Sequence, residues 1–213
     1  MGLSADQVRQ SIETLARRDP ALARALDLVG LPEPRVSEPG YATLLRTIVG
    51  QQLSIHSARA TWARLEAALN DPSDPRALLG LSDEQLRTAG LSRQKSAYAR
   101  SLAELVLSRN LDLSHLPADD EEAIAQLVGV KGIGRWSAEI YLLFSEGRPD
   151  VWPAGDLAVQ VAVGLIAGLN ERPAEKIVRE IGEAWRPHRG AAAIFTWHYY
   201  AKRVRVAKDA APL

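Results

Sequence analysis

Apolar side chains recur every three or four residues along almost the whole chain, which is the period of amphipathic helices. Within residues 54–69, for example, Ile55, Ala58, Trp62 and Leu65 fall on one face of a predicted helix. The predicted helices span residues 4–18, 19–30, 41–51, 54–69, 82–90, 92–107, 119 or 120 to the glycine turn at 129, 135–144, 156–169, 173–185 and 187–207.

Local signals at the ends of these segments support the helical prediction. Ser82 and Gln85 have the spacing of a capping box at a helix start. The segment 157–169 is apolar enough for a buried strand, but its length and the polar Gln160 favour a buried helix. We therefore predict an all-α fold. The connectors and a frayed tail are predicted at 31–40, 70–75 and 209–213.

The composition narrows the class of protein. The 213 residues are enough for one domain or two small lobes, and the hydrophobic content of 46% supplies a core. The 26 basic and 26 acidic residues argue against a protein that coats nucleic acid nonspecifically, but they allow an enzyme with a few phosphate contacts. Because cysteine is absent, the sequence excludes disulfides, a thiol nucleophile, a cysteine-ligated iron–sulfur cluster and CxxC-type zinc sites. No long apolar run and no signal-peptide pattern is seen, so we expect a soluble, cytoplasmic protein without membrane contact.

A glycine-spaced turn, Gly129-Val-Lys-Gly-Ile-Gly134, lies between two predicted helices. Glycine permits left-handed backbone geometry and the close approach of another backbone. Such a turn in front of a helix exposes N–H groups that attract phosphate. A dinucleotide-binding fingerprint is excluded, because a helix precedes the turn and no βαβ pattern surrounds it. The alternative is a plain interhelical loop.

Five motifs follow one another along residues 41–200 in a defined order. They are Gly50-Gln-Gln-Leu-Ser54, Gly90-Leu-Ser-Arg-Gln-Lys95, Leu127 to Ala138, Trp152 to Asp156, and Trp185-Arg-Pro-His-Arg189 with Trp197. In this order they resemble the helix-hairpin-helix (HhH-GPD) superfamily of base-excision DNA glycosylases, and more closely its 3-methyladenine DNA glycosylase II (AlkA) branch. Each motif is weakly specific alone, so the resemblance depends on their shared order.

The resemblance implies two helical lobes that flank a DNA-binding cleft. We expect one lobe at about 36–148, with the hairpin at 127–138, and the other at about 1–35 plus 149–208. The chain starts almost directly with the helical core, without the extra N-terminal mixed α/β domain of the longer family members. Base contacts from that domain are therefore not expected here.

The hairpin is expected to bind the DNA backbone. The residues expected at phosphate are Gly129, Lys131, Gly132, Gly134 and Arg135, with Lys95 nearby, although a solvated helix face explains any single basic residue. By resemblance, the backbone carbonyls of Val128, Val130 and Ile133 coordinate a structural monovalent cation, Na⁺ or K⁺. No cofactor is expected for catalysis.

Asp156 is the expected catalytic residue. As the residue before an apolar helix it has the character of an N-cap, and such a cap also fixes its side chain in place. The resemblance makes it the aspartate that defines the superfamily. Its carboxylate can stabilise an oxocarbenium-like sugar and orient or deprotonate water. One carboxylate suffices where the leaving base is already cationic, as in 3-methyladenine or 7-methylguanine.

Trp136 stands where bifunctional relatives carry a Schiff-base lysine, two residues after the last hairpin glycine. Lys131 lies inside the turn and is better explained as a phosphate contact or a solvated residue. We therefore expect a monofunctional glycosylase that leaves an abasic site and has no lyase activity.

Aromatic side chains are expected to form the base pocket, because an electron-rich ring prefers a cationic base. By resemblance, the pocket residues are Trp136, Trp197, Tyr141 and Trp152, with Trp197 as the main stacking residue. Core packing is the alternative for Trp197.

A flipped base leaves a gap in the duplex that a side chain must fill. Leu91 is the wedge that the resemblance suggests, with Ser92 and Arg93 as alternatives. Gln51 is expected to fill the gap or contact the opposite strand, and an ordinary helix-capping role explains it equally well.

Together these features predict a DNA-3-methyladenine glycosylase II-like hydrolase. We expect a monomer that acts in base excision repair on double-stranded DNA with alkylated bases, associated with the nucleoid when bound. The alternatives are a noncatalytic helix-hairpin-helix DNA-binding protein, which needs no Asp156, and a glycosylase for other damaged or mismatched bases. Relatives of that second kind mostly use the hairpin lysine or a cysteine cluster.

Overall fold

The structure is a computed structural model that describes residues 2–33 and 36–205. Within these ranges every regular element is a helix and no strand is found, so the predicted all-α fold is confirmed. None of the helices in this part of the chain is both long and apolar enough to span a bilayer. The helix end predicted at 207, the lobe limit at 208 and the tail at 209–213 lie outside the described residues.

The helices are numbered here in chain order. They are α1 (Ala5–Arg18), α2 (Pro20–Val29), α3 (Tyr41–Gly50), α4 (Ile55–Ala68), α5 (Pro75–Leu79), α6 (Asp83–Thr88), α7 (Arg93–Leu107), α8 (Asp120–Val128), α9 (Arg135–Tyr141), α10 (Leu157–Ile166), α11 (Glu175–Glu183) and α12 (Arg189–Tyr200). Two π-helical segments, Leu142–Glu146 and Ala201–Arg205, follow α9 and α12.

The helices divide into two compact units. Unit 1 consists of Met1–Val36 and Leu142–Leu213, and unit 2 is Ser37–Tyr141. The division therefore falls at residues 36 and 141, compared with the predicted limits of about 36 and 148. The difference arises because the predicted helix 135–144 changes at Leu142 into the π-helical segment, which belongs to unit 1.

Most helices of unit 2 begin at side-chain caps. The hydroxyls of Ser54, Ser82 and Ser92 each accept a hydrogen bond from the backbone N–H three residues further on, as a helix start requires. Helix α5 was not predicted, because five residues are too few for a helical period to appear. It is specified instead by its ends, with Asp74 as the cap and Pro75 in the first turn.

Unit 1 is organised around α12, which packs against α1 and α10. Phe195 is fully buried in its middle. Gly190 lets the start of α12 approach the preceding chain, since a Cβ there would lie 2.7 Å from the carbonyl oxygen of Pro149. Asp19 caps α2 through the N–H groups of Ala21 and Leu22. The packing of α10 on α12 fixes the start of α10, where Asp156 lies.

Candidate functional site

Asp156 is the N-cap of α10, as the sequence predicts. Its Oδ1 accepts a hydrogen bond from the Val159 N–H at 3.0 Å and a second from Nε1 of Trp197, also at 3.0 Å. The side chain is half-buried, so it is not sealed in the core. A carboxylate at a helix N-terminus is stabilised by the helix dipole. Asp156 is therefore an accessible carboxylate in a fixed orientation.

Trp197 reaches Asp156 from α12, and it is itself half-buried. Its ring lies against Phe144, with centroids 5.6 Å apart and planes tilted by 30°. The indole thus has a fixed position and a partly accessible surface. Core packing accounts for its contact with Phe144, but its partial exposure distinguishes Trp197 from the buried Trp152 and Trp185.

The resemblance predicts Trp152 in the base pocket, but the structure places it in the core of unit 1. It is only 4% exposed, its Nε1 donates to the Val178 carbonyl at 3.0 Å, and its ring meets Trp185 edge-on at 5.4 Å. No ring face is therefore accessible for stacking. The residue instead anchors the chain that leads to Asp156, whose N–H donates to the Pro153 carbonyl at 3.0 Å.

The two remaining aromatic residues of the predicted pocket belong to unit 2 and differ in exposure. Trp136 is 49% exposed at the second position of α9. Tyr141 is a core residue with 2% exposure, and its hydroxyl accepts a hydrogen bond from the Gly40 N–H at 2.8 Å. The structure thus contradicts Tyr141 as a stacking surface, because its ring is enclosed, and keeps Trp136 accessible.

The glycine turn joins α8 to α9, which confirms a helix-hairpin-helix. Gly129 continues the helical geometry at φ −60°, whereas Gly132 adopts φ +88°, a left-handed value that favours glycine. Val130 and Ile133 are buried, and the Ile133 N–H donates to the Val130 carbonyl at 3.0 Å. The turn therefore has one defined conformation, closed by its own hydrogen bond.

The predicted basic contacts of the hairpin fall into two groups. Lys131 is exposed on the turn. Arg135, in contrast, binds two carboxylates, Glu121 at 2.5 and 2.8 Å and the buried Glu139 at 2.9 Å. The hydrogen bonds to Glu121 are the largest cause that raises the pKa of Arg135. Arg135 therefore forms ion pairs that join the two helices of the hairpin. Its predicted role as a phosphate contact is wrong, because its guanidinium group is already bound to these carboxylates.

Lys95 also differs from its prediction as a phosphate contact. Its ammonium group is partly buried and donates to the Val49 carbonyl at 2.8 Å. Burial lowers the pKa of Lys95. Lys95 therefore holds the end of α3.

The predicted wedge, Leu91, is buried with 3% exposure, and its N–H donates to the Leu86 carbonyl at 3.0 Å. It cannot reach a duplex without leaving the core, so this assignment is contradicted. Of the two alternatives, Ser92 is the exposed cap of α7 and Arg93 is exposed. Gln51 donates its amide to the Gly132 carbonyl at 2.6 Å.

Two accessible apolar residues around the start of α4 are not among the predicted site residues. Leu53 is 38% exposed and Ile55 is 71% exposed. Gln52, just before them, adopts φ +55°, which is uncommon for a residue other than glycine. The helical period places Ile55 on the apolar face with Ala58 and Trp62, so the sequence pattern predicts burial and gives no signal of this exposure.

Comparisons with known proteins agree with this architecture. The profile of the HhH-GPD superfamily of base excision DNA repair proteins matches residues 45–187. DNA-3-methyladenine glycosylase 1 of Schizosaccharomyces pombe is 32% identical over 87% of this chain and 86% of its own length. The chain spans 58% of the length of a putative DNA-3-methyladenine glycosylase, YfjP, of Bacillus subtilis, to which it is 27% identical over 74% of its own residues.

Solved structures show the same similarity. A crystal structure of a DNA-3-methyladenine glycosidase from Bacillus halodurans superposes with a TM-score of 0.81 and 32% identity, over 93% of this chain and 91% of the other. The S. pombe 3-methyladenine DNA glycosylase Mag1, in complex with abasic DNA, gives a TM-score of 0.77 and 30% identity, over 88% and 95%.

The fold and the site define a helix-hairpin-helix DNA repair protein with an aspartate at the expected helix start. The chain belongs to the HhH-GPD superfamily of base excision DNA repair proteins, which confirms the predicted resemblance.

Proposed function

We propose that this protein is a DNA glycosylase that hydrolyses the N-glycosidic bond of alkylated bases, of the 3-methyladenine and 7-methylguanine type, in double-stranded DNA. The observation that carries the proposal is the position of Asp156, half-exposed and oriented by the N–H groups of Val159 and Trp197. The names of its relatives and the abasic-DNA complex of Mag1 support the substrate class.

Asp156 acts on the sugar in this proposal. The bond from C1′ to the base nitrogen breaks, and its electron pair leaves with the base. The Asp156 carboxylate stabilises the positive charge that develops on the sugar. The oxygen of a water molecule then bonds to C1′, and the carboxylate takes up its proton before releasing it to solvent. A base that carries a positive charge leaves as a neutral species, so no general acid is required.

Trp197 has two roles in the proposed reaction. Its N–H keeps one oxygen of Asp156 in place at 3.0 Å. Its indole surface, partly accessible beside Phe144, offers a cation–π face to an alkylated purine. We assign the same preference for cationic rings to the exposed Trp136 in unit 2. Selection of charged bases follows from these faces.

The enzyme is proposed to be monofunctional. Trp136 occupies the hairpin position at which a lysine amine would form a Schiff base, and an indole cannot do so. The product is then an abasic site in an intact strand.

The hairpin is proposed to bind a DNA phosphate. We assign this contact to the N–H groups of Lys131, Gly132 and Gly134 and to the Lys131 ammonium, because other N–H groups of the turn already donate within the hairpin, as that of Ile133 does. The Gly129 N–H donates to the Ala125 carbonyl at 3.2 Å, so Gly129 is not assigned to the phosphate contact.

A monovalent cation fits the hairpin carbonyls of Val128, Val130 and Ile133. Val130 and Ile133 are buried, which fixes their backbone, and the Val130 carbonyl keeps a lone pair beyond its bond to Ile133. Three neutral oxygens suit Na⁺ or K⁺ better than a divalent ion, which favours carboxylates. Bound there, the ion would supply positive charge beside the phosphate.

We propose that the protein acts as a monomer on DNA in the cytoplasm.

The test is to incubate the protein with duplex DNA treated with a methylating agent and to identify the released bases by mass. The proposal predicts free 3-methyladenine and 7-methylguanine. Release of no base would leave a noncatalytic DNA-binding protein. Release of only oxidised or mismatched bases, from duplexes that carry them, would favour a glycosylase of a different specificity.

A further inference from the structure

Gln51 lies at the end of α3, and its side chain is directed to the hairpin. The Nε2 group donates to the Gly132 carbonyl at 2.6 Å, and the residue is half-buried. The amide of Gln51 thus contacts Gly132, in the middle of the glycine turn, 81 positions further along the chain. An amide that is engaged in this way is not directed into a gap in the duplex.

Tyr98 holds the other side of the same glycine. A Cβ added to Gly132 would overlap the Tyr98 ring, so the ring lies directly on the Cα of the turn. The Tyr98 hydroxyl accepts a hydrogen bond from Nε2 of Gln94, one turn earlier on α7, at 2.6 Å. The close packing of the ring on the glycine, rather than this exposed hydrogen bond, is the contact that restrains Gly132.

The same face of α7 also holds the end of α3. Lys95 lies one turn before Tyr98, and its ammonium group donates to the Val49 carbonyl, two residues before Gln51. Three contacts therefore connect three segments to one another. Tyr98 links α7 to the glycine turn, Gln51 links the turn to the end of α3, and Lys95 links the end of α3 back to α7. All of these contacts lie within unit 2.

We infer that Gln51 and Tyr98 are positioning residues that clamp Gly132 and hold the hairpin in its phosphate-binding conformation. Gly132 has the left-handed φ of +88°, so the N–H groups on both sides of it depend on this one conformation. The contacts of Gln51 and Tyr98 keep the hairpin in this conformation in the free protein, before DNA binds. The inference rests on the proposed phosphate contact of the hairpin, not on base excision.

Gln51→Met tests the clamp, because it keeps the side-chain length and removes the amide donor. Two quantities are measured: hydrogen exchange of the hairpin amides in the free protein, and affinity for an undamaged duplex and for a duplex with a stable abasic-site analogue over a range of salt. We expect faster exchange, and a loss of about tenfold that is equal for both duplexes, with the salt slope reduced by about one. Gln10→Met, at an exposed position of α1, controls for the substitution itself.

A gap-filling role for Gln51 gives the opposite pattern. The affinity would then fall only for the abasic duplex, while hairpin exchange and the salt slope stayed as in the wild type. That result would overturn the inference.

Tyr98 provides the second arm. Tyr98→Phe keeps the ring on Gly132 and should leave hairpin exchange and duplex affinity near wild type, whereas Tyr98→Leu removes the flat ring and should change both. Equal effects of the two substitutions would contradict the ring contact. These measurements involve no cleavage, so a protein that releases no base but shows the clamp pattern contradicts only the proposed function.

Discussion

Trp197 donates its indole N–H to Oδ1 of Asp156 at 3.0 Å, and a similar pair, with the indole on the other carboxylate oxygen, occurs in the same unit. Asp19, the N-cap of α2, accepts from Nε1 of Trp185 at 3.0 Å. The two pairs share a capping aspartate and an indole donor. They differ in the indole, since Trp185 is buried and Trp197 is partly accessible. The Asp19 pair therefore serves as an internal structural control for the proposed catalytic pair.

Trp197→Phe keeps an aromatic ring and removes the N–H that orients Asp156. A hydrogen bond to a charged group contributes about 1.5–3 kcal/mol, so we expect the single-turnover rate of base release to fall between about tenfold and a hundredfold. Binding of an abasic duplex should change little. Trp185→Phe, which removes the matched donor to Asp19, should lower the free energy of unfolding and leave the rate near wild type. Equal rate losses in both variants would show that the bond to Asp156 has no special role.

The strand product reports whether an amine takes part. Because a tryptophan, Trp136, occupies the position of the Schiff-base lysine, we expect an intact strand after base release and a nick only after treatment with hot alkali. Borohydride added during turnover should trap no covalent complex with DNA. A trapped complex would show that an amine of the protein attacks the sugar, which would contradict the monofunctional mechanism.

The ion pairs of Arg135 predict a separation of stability from DNA binding. Arg135→Gln removes a partner of the buried Glu139 and of Glu121, and we expect a loss of about 1–2 kcal/mol in the free energy of unfolding, limited by the exposure of the arginine. Lys131→Gln should leave unfolding unchanged and weaken DNA binding with a smaller salt slope. Urea denaturation and salt titrations of affinity measure the two effects. A large loss of stability in the lysine variant would contradict this division.

Tyr41 predicts a pH dependence of stability. Its hydroxyl is buried with no hydrogen-bond partner among the described residues, and burial, followed by the charge of Asp74, raises its pKa. In the unfolded chain the phenol ionises near pH 10. The raised value in the folded state contributes stability that is present below about pH 10 and is lost as the pH rises further.

Tyr41→Phe should accordingly be neutral or stabilising by about 1 kcal/mol at pH 7, because it removes an unsatisfied buried hydroxyl. The difference between the variant and the wild type should grow in favour of phenylalanine above pH 10. Thermal unfolding from pH 7 to 11 measures both. A difference that stays constant over this range would mean that Tyr41 does not titrate with unfolding.

Local sequence signals predicted the fold well where they were strong. Helix caps such as Ser82 and Asp156 are specified by three or four neighbouring residues, and the structure confirms them. The short helix α5 lay below the length at which a period is visible. The change from α9 to a π-helical segment at Leu142 has no local signal, since Leu142 to Phe144 continue the same apolar pattern.

The wrong predictions concern residues whose exposure depends on tertiary packing. Trp152 and Leu91 belong to motifs near the predicted site, yet both are buried, because burial depends on neighbours that are distant in sequence, such as Val178 for the indole N–H. The same applies to Arg135, whose partner Glu121 lies 14 residues away. Motif order predicted the segments of the candidate site, but it could not tell which of their side chains are exposed and which are buried.

The most direct test compares Asp156→Asn with Asp19→Asn on one methylated duplex. Asparagine remains a good helix cap, so both variants should fold with unfolding free energies within about 1 kcal/mol of the wild type. We predict that Asp156→Asn binds the duplex normally but releases methylated bases at least about a hundredfold more slowly. Asp19→Asn should release them at the wild-type rate. Near-normal release by Asp156→Asn would contradict the role of Asp156 in catalysis.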